Sequence, residues 1–267
     1  MNLCDSHCHL QDERLAPFLN DVMARARSSG VARFVCCGTS ESDWPLVKRL
    51  AGANPSILPQ YGLHPWYVAN RSPDWRNALA ACLEANPLSG LGEAGLDHAV
   101  TDRDDVGQAA VFRAQLQLAV DLHRPVSIHC RRAWGAMLDL LKEFGSFPAG
   151  LVFHSCSASS DLIGELVALG GYFSFSGSIT FSGNKRGRRT LLAVPPDRVL
   201  IETDTPDLHP NVPPRLTDKN AKPLNEPANL LHVLRAVSQI REIDEQDMAV
   251  QLWRNTARVF PAPGDAP

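Results

Sequence analysis

RVLIETDTPDL, residues 198–208, is an apolar run that ends on Glu202, Thr203 and Asp204 just before a proline. Val, Leu and Ile in succession, with no polar interruption, read as a strand buried on both faces. Seven more short runs of the same kind occur upstream: NLCDSH, ARFVCCG, SILPQYGLH, SGLGEAGLD, PVSIHC, GLVFHSC and GYFSFSG. Between them lie stretches with apolar spacing of about 3.6 residues, such as DVGQAAVFRAQLQLAVDLH and SSDLIGELVALGG. The second of these opens on Ser and Asp and closes on Gly170 and Gly171, which is N-cap and C-cap chemistry. Eight strands alternating with helices predict a parallel α/β fold. A doubly wound open sheet and a closed (β/α)8 TIM barrel both satisfy the alternation.

The polar residues separate the two. His7 and His9 fall at the end of the first run, His64 of the third, Glu93 within the fourth, His129 and His154 at the ends of the fifth and sixth, and Asp204 of the eighth. In a (β/α)8 barrel all these strand ends open onto one mouth, whereas an open sheet keeps its first and last strands apart. The TIM barrel is therefore the expected fold. It takes up residues 1–260 as one domain, followed by a frayed Pro-rich tail at 261–267, within FPAPGDAP.

Composition limits the function classes. The formal net charge is -3, so a nucleic-acid partner must be held by local cations or bound metal rather than by a global field. Seven cysteines, an odd number that includes the adjacent Cys36 and Cys37, point to reduced thiols and a cytoplasmic setting. No apolar run reaches membrane-spanning length, and a motif starting at residue 4 leaves no room for a cleaved presequence. A soluble cytosolic enzyme, as a monomer, is the default expectation.

CDSHCHL, residues 4–10, is the densest local cluster. Strand alternation predicts that Asp5, His7 and His9 share one face and that Cys4 and Cys8 share the other. A mixed Cys/His zinc finger is thereby disfavoured, and no C-x-x-C pair completes one. The competing reading is a core strand with hydrogen-bonded histidines. Glu93, set between glycines in GLGEAGLD, is either a carboxylate close enough to bridge two cations or a charged residue in a Gly-rich turn. Glu202 and Asp204 share a face, so one can bind metal while the other orients a ligand. His64 in YGLHPWY faces a substrate or caps the turn before Pro65, and Trp66 stacks a base or simply packs. NKRGRR (Lys185, Arg186, Arg188, Arg189) is a phosphate-binding loop or a solvated helix start, with Arg131 as a candidate phosphate clamp.

DSHCHL, GLHPW, GEAGLD, PVSIHCR, FHS, ETDTP, NEPANL and NTARVF, in this order, resemble the TatD family of metal-dependent hydrolases in the amidohydrolase-like superfamily. The resemblance runs from residue 5 to about 260 and implies a barrel with a two-metal site. It implies His7 and His9 on one metal, Glu93 bridging, His129 and His154 on the second, and Asp204 completing the set. Asp204 and Glu93 would be the catalytic carboxylates, while Asp5 and Glu202 would support the ligands from behind. The implied cofactors are two divalent ions (Zn2+, Mn2+ or Mg2+) and the implied substrate is DNA, single-stranded or at an end. The sequence departs from the family at HSCSAS, which lacks the usual Phe and Gly, and at LDHA, where an aromatic pair is common. Both changes touch the wall of the site, so a small-molecule amide, ester or phosphoester hydrolase stands as the alternative. A barrel that only binds partners would lack ligands, and none of the implied set is missing.

Overall fold

Each of the eight runs forms a strand in the computed structural model, which describes residues 1–262. They are β1 (Leu3–Cys8), β2 (Val31–Cys37), β3 (Ile57–Tyr61), β4 (Gly90–Asp97), β5 (Val126–Arg131), β6 (Leu151–Phe153), β7 (Gly171–Phe175) and β8 (Val199–Ile201). Helices α1 (Leu19–Ser28), α2 (Trp44–Ala53), α3 (Trp75–Ala85), α4 (Asp105–Asp121), α5 (Trp134–Phe144), α6 (Ile163–Ala168), α7 (Lys185–Ala193) and α8 (Leu230–Arg241) follow them in turn, and α9 (Glu245–Val259) closes the chain. A two-stranded hairpin, β9 (Leu216–Thr217) with β10 (Pro223–Leu224), interrupts the connection from β8 to α8. The greater part of the expected frayed tail, 263–267, lies outside the described residues.

Neighbouring strands pair in parallel from β1 to β8 in sequence order. The ring is drawn together where β8 ends. Asp204 N donates to His7 O (3.0 Å), His9 N to Thr205 O (2.8 Å), Ser6 Oγ to Ile201 O (2.9 Å) and Thr203 N to Asp5 Oδ1 (2.9 Å). Inside the barrel Cys4, Val35, Cys37, Leu58, Val152, Tyr172 and Leu200 pack together, with Val259 and Phe260 at the end of α9 stopping the far end. The opposite strand faces carry Leu3, Phe34, Ile57, Leu91, Ile128, Phe153, Phe173 and Ile201 into the helix layer. This is the two-layer core of a (β/α)8 barrel, in which the interior is filled rather than hollow.

Two local expectations are corrected. Cys4 and Cys8 do not share a face: Cys4 belongs to the barrel interior and Cys8 to the helix-facing layer. The β1–β2 register shifts between Asp5 and Cys8, and a bulge of this kind resets the two-residue alternation. Asp5 consequently turns to Thr203 rather than lining the mouth beside His7. The stretch after β6 begins as a short 3-10 turn (Ser160–Leu162), and Ser159 makes no side-chain cap bond. The C-terminal expectation holds, with Gly170 at φ +101° ending the segment.

Helix α4 shows how the scaffold serves the mouth. Gln108 and Gln115 lie seven positions apart, two helical turns, and both are buried against the strands. Gln115 accepts from Leu63 N (2.8 Å) and donates to Leu63 O (3.1 Å), fixing the backbone just before His64. Gln108 does the same for Asp97, at 2.9 and 3.3 Å. Gly95 (φ +151°) lets β4 lie close to β5, because a Cβ at this position would collide with the His129 carbonyl.

Candidate metal centre

The barrel brings His7, His9, Glu93, His129, His154 and Asp204 into one cluster, with His64 at its edge. Among the described residues, three overlapping groups are close enough to hold a metal ion: His7, His9 and Asp204; His7, Glu93 and His154; and His64, Glu93 and His129. Glu93 is almost wholly buried and turns one oxygen to each side. Its Oε2 lies 3.4 Å from His7 Nε2 and 3.3 Å from His9 Nε2. Its Oε1 lies 2.9 Å from His129 Nδ1, 2.8 Å from His154 Nε2 and 3.4 Å from His64 Nε2.

The separations test whether a cation fits. His7 Nε2 and His9 Nε2 are 3.3 Å apart, and Asp204 Oδ1 lies 3.6 and 3.5 Å from them. A tetrahedral ion with bonds of about 2.0–2.1 Å spaces its ligands by about 3.3–3.4 Å, whereas octahedral Mg2+ needs about 3.0 Å. The His7/His9/Asp204/Glu93 donors therefore stand where a tetrahedral ion would place them. The other side is drawn in tighter around Glu93 Oε1, with His129 Nδ1 and His154 Nε2 only 3.1 Å apart. A cation there replaces imidazole–carboxylate hydrogen bonds.

The far ring nitrogens are held from behind. His9 Nδ1 donates to Cys37 O (2.8 Å), and because a carbonyl can only accept, the neutral ring turns a lone pair on Nε2 into the site. His7 Nδ1 lies 3.3 Å from the Cys37 thiol. His129 Nε2 lies 3.2 Å from Asp97 Oδ2, which leaves Nδ1 for the cluster. Glu202 Oε1 accepts from Ser155 N (2.6 Å) and lies 3.6 Å from His154 Nδ1. Asp5, fully buried, supports Thr203 next to Asp204 and accepts from the backbone N–H of His7. Burial pushes its carboxyl up to about 8 despite the bonds from Thr203.

Charge is unevenly shared within the cluster. Burial disfavours a charged Glu93, but the surrounding imidazoles hold it well below the carboxylate range. Burial also opposes protonation of His9 and His154. Asp204 and Glu93 overcome this for His9, Glu93 and Glu202 overcome it for His154, and both rings are raised well above the ordinary range. His7 moves down, chiefly through burial and the neighbouring His154. His64 is pushed down to about 4, again mainly by burial.

His64 bears out the capping reading. It caps the 3-10 turn Pro65–Asn70 by accepting Trp66 N at its Nδ1 (3.1 Å), and its neutral ring then carries the hydrogen on Nε2, toward Glu93. Trp66 is 54% exposed beside the mouth, with its indole N–H on Asp97 Oδ2 (2.8 Å). Arg131 stands exposed at the end of β5, and NKRGRR opens α7 with Asn184 accepting from Gly187 N.

Sequence reasoning missed three contributors. Asp97 was signalled by alternation, since it lies two steps beyond Gly95 and four beyond Glu93 on one strand face. Asn225 of NEPANL holds the loop bearing Asp204, donating to Thr203 O (2.7 Å) while its own Oδ1 accepts Glu226 N (2.9 Å) and Asn229 Nδ2 (2.9 Å). Cys37 had no signal, because its contact with His7 spans two strands.

A (β/α)8 barrel with imidazoles and carboxylates converging at its mouth defines a hydrolase that works through bound metal. The family model for TatD related DNase matches residues 4–261, and the chain belongs to this family. It is 31% identical over 263 residues to the uncharacterized metal-dependent hydrolase YcfH of Escherichia coli K12, covering 97% of this chain and 96% of that protein. Over 244 residues it is 32% identical to the Klebsiella pneumoniae 3'-5' ssDNA/RNA exonuclease TatD, covering 90% of this chain and 91% of that protein. Its fold superposes on the crystal structure of YJJV, a TatD homologue of E. coli K12, with a TM-score of 0.88, 26% identity and 98% of each chain covered.

Proposed function

We propose that this hydrolase is a deoxyribonuclease that trims single-stranded DNA or a frayed end, using two divalent ions at the barrel mouth. The observation that carries the reading is the polarity of the rim. The connections after β5, β7 and β8 expose Arg131, Arg132, Lys185, Arg186, Arg189, Arg215, Lys219 and Lys222, in a chain of net charge -3. Those after β3 and β4 expose a mixed set, Asp74, Asp102 and Asp104 with Arg71 and Arg103. A phosphodiester strand laid across the mouth is drawn to the first side. The Klebsiella relative's description as a 3'-5' ssDNA/RNA exonuclease supports the same substrate class and suggests the same polarity.

In this reading His7, His9, Asp204 and Glu93 would hold one ion, and Glu93, His129 and His154 would hold the other. The spacing of the first set favours Zn2+ among the candidate ions. Bound divalent ions supply Lewis acidity toward a phosphoryl oxygen and lower the pKa of water toward neutrality. Two carboxylates and four neutral imidazoles contribute a charge of about -2, so two divalent ions would leave the centre with a positive balance that grips a phosphodiester. Asp204, at 13% side-chain exposure against 4% for Glu93, is the carboxylate that reaches solvent and takes the proton of the attacking water. His64 donates its Nε2–H to a non-bridging oxygen, and Arg131 clamps the next phosphate. Trp66 offers its exposed face to a base, a contact of about 1–3 kcal/mol.

The test is digestion of end-labelled single-stranded DNA, duplex DNA and RNA with added Zn2+, Mn2+ or Mg2+, run beside a panel of carboxylic esters and amides. Stepwise shortening of the single strand is expected. Intact DNA together with turnover of an ester or amide would make the chain a small-molecule hydrolase instead.

A further inference from the structure

Asp97, the last residue of β4, is fully buried and stands outside the proposed ligand set. One of its oxygens, Oδ2, receives two N–H groups: the Trp66 indole at 2.8 Å and His129 Nε2 at 3.2 Å. The other, Oδ1, accepts Ala99 N at 2.8 Å, while Gln108 clamps the Asp97 backbone from both sides. With both oxygens engaged, the carboxylate turns toward one donor only by leaving another. His129 faces Glu93 through its opposite nitrogen, and Trp66 is 54% exposed beside the mouth with its ring 6.4 Å from the His129 ring.

We propose that Asp97 is a positioning residue that couples metal binding at His129 to the Trp66 platform through one shared carboxylate oxygen. Its charge keeps the hydrogen on His129 Nε2 and raises the basicity of Nδ1, the nitrogen turned to Glu93. The indole N–H draws on the same oxygen and so competes for that effect. A cation on His129 polarises its N–H, pulls harder on the oxygen and loosens the indole. By linkage, a change at Trp66 must then alter the metal affinity, although Trp66 is no ligand. The proposal rests on the two-metal reading of the mouth but not on the identity of the substrate.

Two variants test it, with metal affinity measured by competition against a chromophoric chelator and tryptophan emission followed during the titration. Asp97→Asn removes the charge, and its affinity for the metal on His129 should fall on the order of 10–100-fold, as for other carboxylates behind a metal-binding histidine. Trp66→Phe alters an exposed side chain and leaves Asp97 to serve His129 alone. It should tighten the same metal severalfold and abolish the metal-induced change in emission. A purely structural Asp97 predicts lower thermal stability for Asp97→Asn with no change in metal affinity in Trp66→Phe, and that result overturns the coupling. An emission response that persists in Trp66→Phe overturns it as well. If the wild-type protein binds no metal, the metal-centre reading falls and takes the coupling with it. If wild type binds metal and degrades no DNA, the coupling is still decided by the two variants.

Discussion

In the proposed metal centre protons and cations compete for the same nitrogens, and the competition fixes how metal affinity changes with pH. His9 and His154 are both raised well above 6.5 by the carboxylates around them, and His129 moves the same way. An imidazolium has no lone pair, so an entering cation must expel those protons. Each proton expelled adds tenfold to the apparent affinity per pH unit, about 1.4 kcal/mol, for as long as the pH stays below that ring's pKa. With His9 and His154 protonated and serving different ions, the affinity for each ion should rise about tenfold between about pH 6 and 7. His64, pushed down to about 4, carries no proton in this window, and His7 is shifted in the same direction and adds less to the slope. The assay is chelator competition at fixed ionic strength across about pH 6–8. Calorimetry in buffers of different ionisation enthalpy would count roughly two protons released at saturation. A total rise below about tenfold over the whole window would refute the reasoning, because four imidazoles already neutral at pH 6.5 give that result.

Other outcomes follow from the same geometry. Asp204→Asn should lower kcat by about 10^2–10^4 while the melting temperature stays close to wild type, since the bond from the residue 204 N–H to His7 O survives. Full residual turnover would remove Asp204 from the mechanism. Asn225→Ala deletes the donor to Thr203 O and the acceptor for Asn229, both buried, and should cost roughly 2–4 kcal/mol in urea unfolding. An unchanged unfolding midpoint would contradict the role given to Asn225. Reversing Arg186 and Arg189 to Glu should raise KM for an oligonucleotide far more than for a small aryl phosphodiester and flatten its salt dependence. Equal losses on both substrates would place these arginines outside a strand-binding rim.

Much of the fold was readable because buried parallel strands announce themselves as short apolar runs rich in Val, Ile and Leu. All eight runs became strands, in sequence order around the sheet. The metal-binding candidates were readable for a related reason: each stands at or near the end of such a run, where a barrel gathers polar groups. The misreadings arose wherever local pattern and tertiary contact diverge. Two-residue alternation failed for Cys4 and Asp5 because a register shift separates Asp5 from Cys8. Gln108 and Gln115 looked like ordinary polar positions of a helix, and their partners Asp97 and Leu63 lie 11 and 52 residues away. Trp66 and Asp97 are 31 residues apart, so their bond has no local signature.

The sequence by itself determined the strand order, the kind of donor at each strand end and the class of chemistry those donors serve. These are local properties, carried by the period of a run and the residue that terminates it. Only the tertiary structure decided which oxygen meets which nitrogen. Asp5 reaches Thr203 across 198 residues of chain, and that seam sets Asp204 beside His7 and His9. Glu93 divides its two oxygens between two groups of histidines for the same reason: closure of the ring, which no segment of the chain contains, sets the distances.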